Sequence, residues 1–156
     1  CEPSTHGLFS TLMAGSVYQG DLFHELAERM AEYPALKVRM FLDIQRKPGR
    51  HFITGRAGSE FCPSIPIRRV AIGKVCPEIF YDPRALWADR SKRAALHAKC
   101  IVADGRDVFV SSANFTEAAQ ERNVEVGLPL DSTTVAQRLT GFFEALCESE
   151  QFLRAL

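Results

Sequence analysis

Four histidines occur in this chain, and one of them, His97, stands two positions before a lysine, Lys99. On an extended strand, side chains two apart share a face. An imidazole and an ammonium would then project together, while Ala98 and Cys100 turn into packing. Asp104 follows in an Asp-Gly-Arg turn, and a Ser-Ala-Asn segment carries Ser112 and Asn114. Glu125 interrupts an apolar run, NVEVGLPL, on one side with Asn123 and Gly127, opposite Val124, Val126 and Leu128. Gathered at one sheet edge, these groups suit a tetrahedral phosphate. Lysine brings charge, serine and asparagine bring hydrogen bonds, and histidine can attack phosphorus or move a proton. Asp104 also fits an ordinary turn, and Arg122 is an alternative partner for Glu125.

Strands are needed to hold such a set. CIVA and DVFV, separated by Asp104-Gly105-Arg106, predict a hairpin. Upstream, LFSTLMAGSVY contains a buried strand, and LKVRMFLD and IPIRRVAIG predict two more. DLFHELAERMAEY repeats Leu22, Leu26 and Met30 at helical spacing, with Asp21 as its N-cap and Pro34 as its stop. Residues 44–64 are rich in Gly, Pro and Arg, and 75–94 predict mostly loop, with Phe80, Tyr81 and Trp87 as loop anchors. Ser132 and Thr133 open a last helix with Val135, Leu139, Phe142, Phe143 and Leu146 as its stripe. This order predicts one α/β domain over residues 1–156, a mixed β-sheet flanked by helices.

The spacing His97-x-Lys99-x4-Asp104-x6-Ser111-Ser112-x-Asn114 resembles the HKD signature of the phospholipase D superfamily, HxKx4Dx6GSxN, with Ser111 in place of the glycine. Glu125 falls where nucleases of that superfamily keep an acid. The resemblance implies an α-β-α sandwich and a phosphodiesterase that needs no metal or other cofactor. It also implies an active site made from two motifs. One histidine becomes phosphorylated while the other protonates the leaving oxygen, and lysine and asparagine stabilise charge on phosphorus. Only one motif is present here, so the resemblance implies a homodimer or a second HKD-bearing partner. It further implies that Glu125 orients His97, that Ser112 meets phosphate, and that Asp104 braces the hairpin. More narrowly, VYQGDLFHELAERM, FYDPRAL and the stretch from His97 to Leu128 resemble the phospholipase-D-like DrmC family of the bacterial DISARM anti-phage systems. That likeness implies a bacterial, cytoplasmic protein acting near phage or plasmid DNA beside other defence proteins.

Composition bounds these expectations. Formal net charge is zero, which disfavours a uniformly basic nucleic-acid binder. A local basic face is still present: residues 46–56 hold Arg46, Lys47, Arg50, His51 and Arg56 with no acid, and Arg46, Lys47 and Arg50 are candidates for contact with a DNA backbone. Five cysteines without a CxxC motif favour a reducing compartment. His51, Cys62 and Cys76 match no familiar zinc spacing. No apolar run is long enough to cross a bilayer, so no membrane partner is expected. The chain opens CEPSTHGLF without methionine, the pattern of a piece lacking an upstream segment. Two other functions stay open: hydrolysis of a phospholipid head group on the same fold, and an idle nucleic-acid-binding or assembly module.

Overall fold

The computed structural model describes residues 10–15, 20–44, 77–114 and 122–155. Strand β1 (Ser10–Gly15) lies at the centre of the sheet, and its residues from Thr11 onward are buried. Helix α1 (Gly20–Glu32) follows, two residues earlier than an Asp21 N-cap would start it, so Asp21 falls inside its first turn and not at the cap. Strand β2 (Lys37–Leu42) returns parallel to β1, with Met13 beside Met40. Strand β3 (Glu78–Tyr81) runs parallel to β2. Strands β4 (Cys100–Ala103) and β5 (Asp107–Ser111) form the predicted hairpin, and β6 (Gly127–Asp131) pairs with β5. Helix α2 (Thr133–Glu148) comes next, then the short β7 (Leu153–Arg154). Among the described residues the sheet has seven strands in the order β6-β5-β4-β1-β2-β3-β7, a mixed α/β arrangement.

Alternation along the inner strands divides the core into two layers. On one face Met13, Val38, Met40, Leu42 and Ile79 pack with Met30 of α1. On the other, Leu12, Ala14, Phe41, Cys100, Val102 and Val108 pack with Ala136 and Phe143 of α2. Phe41 is the hub of the second layer. Its ring centroid lies 5.0 Å from that of Phe80, 4.6 Å from Phe143 and 5.8 Å from Phe152. Helix α2 begins as its sequence predicts, with the Ser132 hydroxyl accepting from the Val135 N–H at 3.3 Å.

Three expectations need correction. Residues 75–94 are not all loop, because Glu78–Tyr81 forms β3. Ile79 and Tyr81 enter one core layer while Phe80 stacks on Phe41 in the other, so four residues bury apolar surface on both faces. Trp87 is not an anchor, since 47% of it stays exposed; Tyr81 fills that role. The strand expected over NVEVGLPL begins only at Gly127, so Glu125 precedes β6. Val124, Val126 and Leu128 are exposed, as is Val110 opposite Leu128. The expected strand at 65–73 lies outside the described residues.

Candidate active site

The β4–β5 hairpin is pinned at its turn. Asp104 (φ 49°) and Gly105 (φ 66°) both adopt the left-handed conformation that closes it. The Asp104 carboxylate accepts from the Ser10 N–H at 2.8 Å, while the Asp104 N–H donates to the Ser10 carbonyl at 2.8 Å. Arg106 adds a two-pronged contact to Asp131 of β6, at 2.5 and 2.6 Å. Hydrogen bonds to Asp131 raise the Arg106 pKa and depress that of the carboxyl. Asp104 thus ties the turn to β1, at the opposite end of the hairpin from His97.

At the other end the ladder runs out, and the candidate site lies there. Cys100 is the first residue of β4, paired with Ala14 on one side and Val110 on the other. Residues 97–99 precede the strand and are tied on the β5 side, where the Ser111 N–H donates to the Lys99 carbonyl at 3.0 Å. His97 is exposed, whereas Lys99 is buried, with 8% of its surface exposed. The two side chains therefore do not present themselves alike, as a regular strand would have them do. The Lys99 ammonium turns back to donate to the His97 carbonyl at 2.9 Å, which partners a charge that burial would otherwise penalise. Asp43, just past β2, accepts from the Leu96 N–H at 3.3 Å and so fixes the backbone entering His97. Sequence reasoning missed Asp43. The available signal was an acid at the C-terminal end of a parallel strand, where α/β sheets gather functional groups.

Ser112 and Glu125 meet across the β5–β6 edge. The Ser112 hydroxyl donates to a Glu125 carboxylate oxygen at 2.5 Å and accepts from the Val126 N–H at 3.1 Å. The Asn123 side-chain amide donates to the other carboxylate oxygen at 3.1 Å. The hydrogen bond from Ser112, then that from Asn123, hold the Glu125 pKa below the ordinary 4.5 against desolvation, with the Lys99 charge a still smaller help. Neither His97 nor Arg122 appears among the hydrogen-bond partners of Glu125. Ser111, which replaces the expected glycine, fits without disruption. Its hydroxyl donates to the Val126 carbonyl at 3.2 Å and accepts from the Ala113 N–H at 2.9 Å, so it ties the Ser-Ala-Asn segment to the edge strand. Asn114 lies half-buried at the end of that segment.

His97, Lys99, Ser112 and Glu125 are thus linked through backbone and side-chain contacts, with Asn123 and Asp43 as additions. The arrangement offers an exposed imidazole, a fixed positive charge and an ionised carboxylate beside a hydroxyl, a set able to bind and attack a phosphodiester. Arg46, Lys47 and Arg50 lie outside the described residues, as do His51, Cys62 and Cys76.

Comparison with known proteins agrees with this fold. The family model described as "Cardiolipin synthase, PLD-like domain" matches residues 64–147, more than half of the chain. Among solved structures, the phospholipase D family member Nuc from Salmonella typhimurium is similar, with a TM-score of 0.59 and 18% identity over 96% of this chain and 83% of its own. NucT from Helicobacter pylori has a TM-score of 0.58 and 17% identity over 90% of this chain and 79% of its own. At these identities the likeness is one of fold. No curated protein matches the sequence.

Proposed function

The chain belongs to the family described as cardiolipin synthase, PLD-like domain, and from that premise we propose that it is a metal-independent phosphodiesterase that cuts DNA, with His97 as nucleophile. The observation that supports this reading is an exposed His97 two residues from a buried Lys99, whose ammonium meets the His97 carbonyl, with the Ser112–Glu125 pair tied to the same backbone through Ser111. A ring nitrogen of His97 attacks phosphorus, and the P–O bond to the leaving strand breaks. His97 of the partner subunit, protonated, gives its proton to that oxygen. The same imidazole, now neutral, takes a proton from water, whose oxygen displaces His97 from phosphorus and leaves a phosphomonoester. Lys99 and Asn114 stabilise the non-bridging oxygens, and Ser112 contacts phosphate. Glu125 has two of about four acceptor positions engaged, which leaves capacity for an N–H of His97 in the assembled site.

A second copy is supported by the single motif in the sequence and by the exposed apolar strip of Val110, Val124, Val126 and Leu128, which flanks Glu125. DNA is supported over lipid by the acid-free basic run at 46–56, which includes Arg46, Lys47 and Arg50. The segments resembling DrmC support a role in anti-phage defence beside other proteins of such a system.

The test is cleavage of plasmid DNA by the purified full chain in EDTA. Turnover is expected to fall by about 1,000-fold or more in His97→Ala and Lys99→Ala, and acid-labile phosphohistidine is expected to be trapped during turnover. Cleavage that requires magnesium and survives both substitutions would refute the proposal. Hydrolysis of phospholipid vesicles without any DNA cleavage would transfer the same chemistry to a lipid substrate.

A further inference from the structure

Trp87 is the only tryptophan in the chain, and 47% of it is exposed. Tryptophan is usually well buried, and when it is not, one face is commonly available to a partner. Here the residue belongs to neither core cluster. It sits between two short 3-10 helices, Pro83–Leu86 and Arg90–Lys92, on the segment that leads into His97.

That segment is held firmly for a surface loop. The buried Asp82 carboxylate accepts from the Arg84 N–H at 2.8 Å and from the Arg84 guanidinium at 2.7 to 3.1 Å. Asp89 caps the second 3-10 helix through the Ser91 N–H and hydroxyl, at 3.0 and 2.7 Å. Arg93 closes the loop from behind, donating to the Trp87 carbonyl at 2.7 Å and the Ala88 carbonyl at 3.4 Å. Asp82 is buried in its pair with Arg84, and the half-exposed Asp89 carboxylate lies 3.7 Å from the Lys92 ammonium, so the segment carries a net positive charge. Arg90 is exposed and enters no ion pair with a described residue. From Arg93 to His97 is at most about 14 Å of extended chain.

An exposed indole on a hydrogen-bonded loop, with exposed Arg90 and Lys92 a few residues along the chain and the proposed phosphate-cutting site further along the same segment, is a combination that suits single-stranded nucleic acid. Bases stack on the ring and the backbone phosphates meet the basic side chains. We infer that Trp87, with Arg90 and Lys92, forms a stacking platform for an unpaired DNA or RNA strand and feeds that strand toward His97. This inference rests on the proposed phosphodiesterase function and narrows its substrate to strands with accessible bases. A duplex hides its base faces and gives the indole nothing to stack on.

Because Trp87 is the lone tryptophan, its fluorescence reports the site directly. The full chain carrying His97→Ala, which prevents cleavage, is titrated with an oligothymidylate of twelve residues. Saturable quenching is expected, with a blunt duplex of the same length far weaker. Affinity, read by anisotropy of a labelled oligonucleotide, is expected to fall by about 5- to 150-fold in Trp87→Leu and to be largely kept in Trp87→Phe, which retains an aromatic face. Arg90→Ala should reduce the slope of log affinity against log salt by about 0.7. Binding without quenching, equal affinity in Trp87→Leu, or equal quenching by duplex would overturn the inference. So would a blue-shifted emission with phosphatidylglycerol vesicles and no response to oligonucleotide, which would assign the patch to a membrane surface. Hydrolysis of bis(p-nitrophenyl) phosphate by the unaltered chain, a substrate too small to need a platform, reads the catalytic proposal separately. Quenching without that hydrolysis leaves the platform standing and removes the catalyst. Hydrolysis without quenching does the reverse.

Discussion

Replacement of Asp104 separates a brace from a catalyst. The carboxylate accepts from the Ser10 N–H at 2.8 Å, and the residue sits at φ 49°. Asp104→Ala removes both supports. Loss of an exposed charge-assisted hydrogen bond costs about 1 kcal/mol, at the low end for such bonds. Placing alanine in the left-handed region costs roughly another 1 kcal/mol. The sum, about 2 kcal/mol, lowers Tm by about 4–8 °C in a chain of this size. Asp104→Asn keeps an acceptor oxygen and tolerance of the left-handed conformation, so its loss should stay near 0.5 kcal/mol, within the scatter of surface substitutions. Asp104→Gly restores the backbone but not the bond, and should lose about 1 kcal/mol. Thermal melts read all three, and hydrolysis of bis(p-nitrophenyl) phosphate at 25 °C should stay within about twofold of the parent, since each variant remains folded there. An unchanged Tm in Asp104→Ala with turnover reduced about 100-fold would refute the reasoning and move Asp104 into the chemistry.

Phe41→Ala should cost about 4 kcal/mol by urea denaturation, because it empties a site in contact with Phe80, Phe143 and Phe152; a loss below about 2 kcal/mol would mean the three rings close the gap. Gly127→Ala places a methyl 2.5 Å from Cζ of Phe109, so the ring must swing away. A cost of about 1 kcal/mol is expected, and the double variant with Phe109→Ala should lose less than the two single effects added, as a double-mutant cycle would reveal. Glu125 has its pKa depressed in the folded chain, so it contributes stability that is present above 4.5 and lost as pH falls through the lower folded value. Melts between pH 3 and 7 should show Glu125→Gln with a shallower acid-side loss than the parent; parallel profiles would contradict this.

The hairpin, the first helix and the last helix were legible because each rests on local rules. Asp104-Gly105 supplies the positive φ a tight turn needs, Leu26 and Met30 stand one helical turn apart, and Ser132 reaches the Val135 N–H. Strand β3 was hidden because EIFY is too short to establish a period and its two faces enter different core layers. The spacing from His97 to Asn114 marked the site, but not how its members touch. Lys99 turns onto a backbone carbonyl, and Glu125 turns to Ser112 and Asn123, choices settled by where the ladder ends and not by residue order. Asp43 shows the same limit. It lies 53 residues before the N–H it fixes, and only the sheet brings them together.

The distribution of polar groups over the sheet follows from what each strand can tolerate. The inner strands β1 and β2 are buried along most of their length, and Arg39, the charge within β2, is half-buried and paired with Glu144 of α2 at 2.9 Å. The candidate site lies where cover ends: the residues before β4, the segment after β5 and the approach to β6. There a carboxylate can stay ionised and an imidazole can meet solvent, while Lys99 alone is buried, with a carbonyl to receive its charge. The same incomplete cover leaves Val124, Val126 and Leu128 exposed beside Glu125. An edge strand with an apolar face is a liability in isolation. Under the proposed function, one docking event would both bury the strip and bring the second imidazole, so that association and completion of the site would be a single step.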